Sequence, residues 1–165
     1  NSKGLLLHVS AESWNLDAAD IAQKMADNGT PLLSFPHRIE GKEMPRWISP
    51  SAVSFITISE TGDDGRVGVI AGVKALGQAD TYGATPDEVE ALIAAVSAEK
   101  PLNKYLPDTA HARWSRPAAL YIDPSSITKI ITSSYGRQVD VNFENTGGLD
   151  IQIKEADINV IANNI

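Results

Sequence analysis

The stretch His111-Ala112-Arg113-Trp114-Ser115-Arg116-Pro117 concentrates chemistry that the rest of the chain dilutes. Two arginines and a histidine surround one tryptophan in a chain where 21 Asp and Glu outnumber 14 Lys and Arg, for a formal net charge of −7. Guanidinium groups grip carboxylates and phosphates through paired N–H donors, and Arg and Trp are enriched where interfaces concentrate binding energy. Arg46-Trp47 repeats the pairing upstream, after Phe35-Pro36-His37-Arg38. Arg46, Trp47, His111, Arg113, Trp114 and Arg116 are therefore the candidate binding residues. The competing use of both tryptophans is packing, with the arginines merely on their flanks.

Other chemistry is sparser. The chain has no cysteine, which removes disulfides, thiol nucleophiles and thiolate-held metals. Its three histidines, His8, His37 and His111, are too far apart in sequence for HxH or HxxxH pairs, so no metal or cofactor is expected. Asp63 and Asp64 adjoin in a glycine-flanked turn, where Asp commonly bonds its own backbone. No Gly-x-Ser-x-Gly elbow is present, and Ser49, Ser51, Ser125 and Ser126 flank prolines, where a hydroxyl serves turn bonding. The pair Gly147-Gly148 punctuates a hairpin and does not open a helix as a phosphate-cradling loop would. A catalytic role would need a site dispersed through the fold, and the sequence favours a non-enzyme.

These residues need elements to position them, and 165 residues with 42% hydrophobic content suffice for one compact domain with a real core. The acidic balance disfavours a nucleic-acid partner. No apolar run approaches the length needed to cross a bilayer, so no membrane partner is expected, and the lack of cysteine fits the expected cytoplasmic or virion-associated location.

Residues 1–45 read as a β-α-β part. A strand over 5–9 precedes a helix capped by Asn15 or Asp17, with Leu16, Ile21, Ala22 and Met25 on its apolar stripe and Asn28-Gly29 as its stop. Residues 31–35 form a second strand, and 37–45 read as an irregular connector.

Beyond residue 45 the chain resembles itself. Residues 47–59 align without a gap on 121–133, with identity at Ile48/Ile122, Pro50/Pro124, Ser51/Ser125, Ile56/Ile130 and Ser59/Ser133. Each block reaches a Gly-Arg pair, Gly65-Arg66 and Gly136-Arg137, and then a β-branched stretch. Each ends in a helical pattern, with Val89, Leu92, Ile93 and Val96 answering Ile158, Ile161, Ala162 and Ile165. The reading is two pseudo-repeats, 46–100 and 119–165, each a small antiparallel sheet plus helix, separated by a Pro-containing loop at 101–118. Thr85-Pro86-Asp87-Glu88 is a capping box with Pro in the first turn, the strongest helix start in the chain.

The second copy carries an apolar–polar–Pro–x–x–Ile–x–x–Ile strand over 122–130, a strand over 139–143, and Ile151-Gln152-Ile153-Lys154-Glu155 running toward Ile158. This pattern is similar to one in small flagellar-operon proteins of bacteria and in phage-encoded small β proteins. The resemblance implies a small, oligomer-prone β-rich module and carries across no catalytic residue.

The expectation is thus an α+β protein acting as a non-catalytic oligomeric assembly or binding module, a phage or bacterial accessory or structural protein. Its partner would be a second copy of itself or another protein. The alternative is a ligand-sequestering protein that holds a small anionic, nucleotide-like molecule on arginines at a subunit interface.

Overall fold

The computed structural model describes residues 17–74, 77–105, 117–132, 138–143 and 151–154. Asp17 is extended, and its carboxylate accepts the Ala19 N–H at 2.8 Å, which opens helix α1 at Ala18–Asp27. Gly29, at φ +82°, and Thr30 return N–H bonds to the Ala26 and Met25 carbonyls and end it. Ala22 is buried while Ile21 stays 42% exposed, so the expected stripe is only partly turned inward. The strand expected over 5–9 lies outside the described residues.

The chain then folds into two nested pairs. Strand β1 (Leu33–Ser34) pairs antiparallel with β4 (Trp47–Ile48), and between them β2 (His37–Ile39) pairs with β3 (Lys42–Met44). The expected connector over 37–45 is therefore a hairpin. Its turn residues Glu40 and Gly41 both take positive φ, 50° and 76°, as the two-residue turn that matches strand twist requires.

The main sheet has five antiparallel strands in the order β7-β6-β5-β9-β8. They are β5 (Val53–Ser59), β6 (Val67–Val73), β7 (Gly77–Ala84), β8 (Asn103–Tyr105) and β9 (Pro117–Ile122). The β5–β6 turn closes with Gly62 N–H to Arg66 O at 2.8 Å and with Gly65 at φ +75°. Side chains alternate across the sheet. Val67, Val69, Ala71 and Val73 of β6 join Val53, Ile56, Ala79 and Ala84 on one face. Helix α2 (Pro86–Glu99) packs there through Val89, Leu92 and Val96, with Phe35 and Ile48 completing the core. The opposite face carries Phe55, Leu120 and Ile122, each under 2% exposed, and Phe55 lies over Gly72 in the space a β-carbon would need.

Helix α2 starts as its sequence predicts. Thr85 Oγ1 accepts Glu88 N–H at 3.3 Å, and the Glu88 carboxylate accepts the Thr85 N–H at 3.4 Å. Of the segment read as a Pro-containing loop over 101–118, residues 103–105 are β8 and β9 begins at Pro117.

Two corners are built alike. Strand β4 passes through a 3-10 turn at Pro50–Ala52 into β5, and β9 passes through a 3-10 turn at Pro124–Ser126 into β10 (Ile127–Thr132). Ala52 N–H bonds Ser49 O, and Ser126 N–H bonds Asp123 O, both at 3.1 Å. Proline sits where its missing N–H costs no ladder bond. Pairing slips between Val53 and Phe55 in β5 and between Ile127 and Lys129 in β10, the same relative place. Strand β10 opens a three-stranded antiparallel sheet with β11 (Gln138–Phe143) and β12 (Ile151–Lys154). Helices and antiparallel sheets together make the fold α+β. The helix expected over 158–165 lies outside the described residues.

Candidate functional site

Of the six residues singled out in sequence, the structure describes Arg46 and Trp47, while His111, Arg113, Trp114 and Arg116 lie outside the described residues. Arg46 is turned inward. Its Nε donates to Phe35 O at 3.0 Å and its NH2 to Asp80 O at 2.9 Å, and its guanidinium lies 5.2 Å from the Phe35 ring centroid. Burial lowers its pKa. Trp47 is half-buried in β4 opposite Ser34. Arg46 therefore braces the N-terminal segments against β7.

The β2–β3 hairpin uses its charges in the same way. His37 Nδ1 sits 2.8 Å from Asp80 O, Arg38 N–H donates to Thr81 Oγ1 at 3.1 Å, and the Arg38 guanidinium reaches Glu43 and Glu88, each at 2.8 Å. These contacts cover the outer edge of β7, a sheet edge that would otherwise invite pairing. Asp64 Oδ1 accepts Arg66 N–H at 3.0 Å, the local turn bond expected of it. Among the described residues, no three His, Asp or Glu side chains converge as metal ligands would.

A polar node lies where the helix end meets both corners. Asp123, with its side chain 4% exposed, accepts Ser125 Oγ–H and Ser126 Oγ–H at 2.6 Å and Lys100 Nζ–H at 3.1 Å. Burial pushes its carboxyl up, but the three donors outweigh that and hold it below the usual carboxylate range. Lys100 Nζ also donates to Ser51 O at 3.0 Å. Ser97 and Lys100 have Ser-x-x-Lys spacing, and Lys100 Nζ is turned to the Asp123 carboxylate and the Ser51 carbonyl. Ser54 Oγ and Asn103 Nδ2 are buried and have no hydrogen-bond partner among the described residues. Serine and asparagine side chains do not report burial in sequence, so this node is recognisable only in the fold.

A groove of about 320 Å³ opens on the main-sheet face opposite α2, at the β5–β6 turn. Its floor is Thr57, Ser59, Gly68 and Ile70, with Val67 and Val69 contributing backbone because their side chains face the core. Tyr82, 58% exposed, faces Gly68 across the β6–β7 pair and forms one wall. A β-carbon at Gly68 would stand 4.0 Å from Tyr82 Cδ1 and 3.3 Å from Ser59 Oγ, so the absence of a side chain there makes the depression. An aromatic beside a strand glycine also shields the exposed backbone, which is the structural use of Tyr82. Glu60, Asp64 and Arg66 form the rim, and Arg66 NH1 is fixed by Gly83 O at 2.9 Å. Tyr82 is inconspicuous in the sequence. Its signal was an aromatic beside a glycine in β7, whose partner across the sheet is known only from the register.

No family model matches the chain, and neither does any curated protein or solved structure.

Proposed function

We propose that this chain is a non-catalytic binding module of an assembly, a stiff β scaffold that presents the Tyr82 groove to a partner. The observation that carries this reading is Tyr82, a large ring left 58% exposed above a glycine-floored groove on an otherwise well-packed sheet. Arg38, Arg46 and Lys100 support it, since each is engaged in joining separate elements to one another. A framework braced in this way can hold a recognition surface in a fixed shape.

We further infer that 46–100 and 119–165 derive from one folding unit. The matching 3-10 corners and the matching pairing slips at Val53 and Ile127 support this beyond the sequence identities. Small sheets of this kind bury their faces by packing on neighbours, which favours self-association. The resemblance of 122–158 to small flagellar-operon and phage-encoded β proteins agrees with an accessory or structural role.

The test is an amide NMR titration of the full chain with N-acetyl amino-acid amides of apolar, aromatic, acidic and basic side chains. The reading expects at least one class to shift the amides of Gly68, Ile70 and Tyr82, and expects Tyr82→Ala to abolish those shifts. Groove amides that stay still for every class overturn it. Sedimentation velocity checks the assembly half, for which a mass above one chain is expected and a monomer at every concentration refutes self-association.

A further inference from the structure

From the charge set around the groove we infer the chemistry of its occupant, a lysine or arginine side chain of a partner polypeptide laid against Tyr82. The inference rests on the groove being the binding face. Glu60 and Asp64 line the rim, and Asp63 stands beside them in the same turn. All three carboxylates are exposed, and no pairing with a cation is seen for any of them among the described residues. Against them stands one guanidinium, that of Arg66, already anchored on the Gly83 carbonyl. Two rim carboxylates to one guanidinium, with Asp63 in the same turn, make the rim attractive to a cation and repulsive to a carboxylate or phosphate.

The apolar parts agree with that sign. An aromatic face attracts an ammonium or guanidinium placed over it, and a long basic side chain lays its methylene stem on apolar surface while keeping its charge at the rim. Ile70 and the bare Gly68 floor supply surface for the stem, and Tyr82 supplies the ring. The groove is near the lower limit of small-ligand sites, about 300 Å³, so it suits one extended side chain of a docked segment. A free nucleotide would meet the carboxylates first.

The probes are N-acetyl-arginine amide and N-acetyl-lysine amide, with N-acetyl-norleucine amide and N-acetyl-glutamate amide as controls, titrated into the full chain at low and high salt. The basic probes are expected to shift Gly68, Ile70 and Tyr82 at lower concentration than norleucine does, and glutamate is expected to shift them least. Glu60→Gln with Asp64→Asn should weaken the basic probes by about three- to ten-fold and leave norleucine unchanged. Asn at 64 keeps the oxygen that accepts the Arg66 N–H, so the turn is preserved. Salt should weaken the basic probes alone. If norleucine or an aromatic amide shifts the groove as strongly as arginine does, or the neutralised variant binds arginine equally well, the cationic occupant is wrong while the binding groove stands. If no probe shifts the groove, both readings fall together.

Discussion

Lys100 Nζ lies 3.1 Å from Asp123 Oδ2 and 3.0 Å from Ser51 O, so one ammonium joins the end of α2 to both 3-10 corners. The Asp123 carboxyl is held below its ordinary range by Ser125, Ser126 and Lys100 against the opposing effect of burial. A carboxyl depressed in the folded state contributes stability that is complete above its unfolded pKa, about 4, and is lost as pH falls through the folded value. The stability gap between wild type and Asp123→Asn should therefore be constant at neutral pH and narrow below about pH 4. Denaturant titrations at several pH values measure it, and a gap that stays constant down to the acid transition contradicts the assignment.

Removing the cation is a different perturbation. Lys100→Met leaves Asp123 charged in a site where its side chain is only 4% exposed. Breaking a buried pair by deleting one partner costs about 3–5 kcal/mol, and the 15% exposure of Lys100 moves the expectation to about 2–4 kcal/mol. Asp123→Asn/Lys100→Met should cost less than the sum of the single changes, because neither partner is then left charged and alone. Additive losses in thermal unfolding would show that the two residues act independently.

How much of this was legible before the fold was known differs by element. The start of α2 was fully written, because a capping box uses only residues 85–88 and needs no tertiary partner. The turns at Pro50 and Pro124 were legible for the same local reason, from the serines that flank each proline. The β2–β3 hairpin was not legible. Its strands, His37–Ile39 and Lys42–Met44, lack apolar alternation because polar and charged bonds to β7 and α2 hold them. Its turn is Glu40-Gly41, which carries none of the usual asparagine or aspartate signal. Arg46 looked like a ligand residue because sequence cannot distinguish a guanidinium facing solvent from one consumed by two carbonyls.

Gly72 is held to glycine by space, not by backbone angle. A β-carbon at this position would clash with the edge of the Phe55 ring at Cε1, Cδ1 and Cζ, and Phe55 is itself fully buried. Gly72→Ala should destabilise by about 1–3 kcal/mol or more, since overpacking forces the ring off its rotamer or the strands apart. Gly72→Ala in a Phe55→Leu background should cost clearly less than in wild type, because the smaller side chain vacates that space. Equal losses in both backgrounds would place the conflict elsewhere.

Glu88 serves two partners, and substitutions can separate them. Its carboxylate closes the capping box with Thr85 and takes the Arg38 guanidinium of the hairpin at 2.8 Å. Thr85→Ala removes the side-chain cap and should cost about 0.5–2 kcal/mol of global stability. Glu88→Gln keeps an oxygen for the Thr85 N–H but removes the charge that Arg38 seeks, so α2 should persist while the hairpin loosens. Arg38 and Glu88 have side chains 20% and 27% exposed, and their coupling in a double-mutant cycle should be about 1 kcal/mol. Amide hydrogen exchange distinguishes the two outcomes. Glu88→Gln should speed exchange of the hydrogen-bonded amides of residues 37–44 and leave those of residues 92–96 protected. Faster exchange throughout α2 would mean that the glutamate acts mainly on the helix and that the hairpin is held by His37 and Arg46 instead.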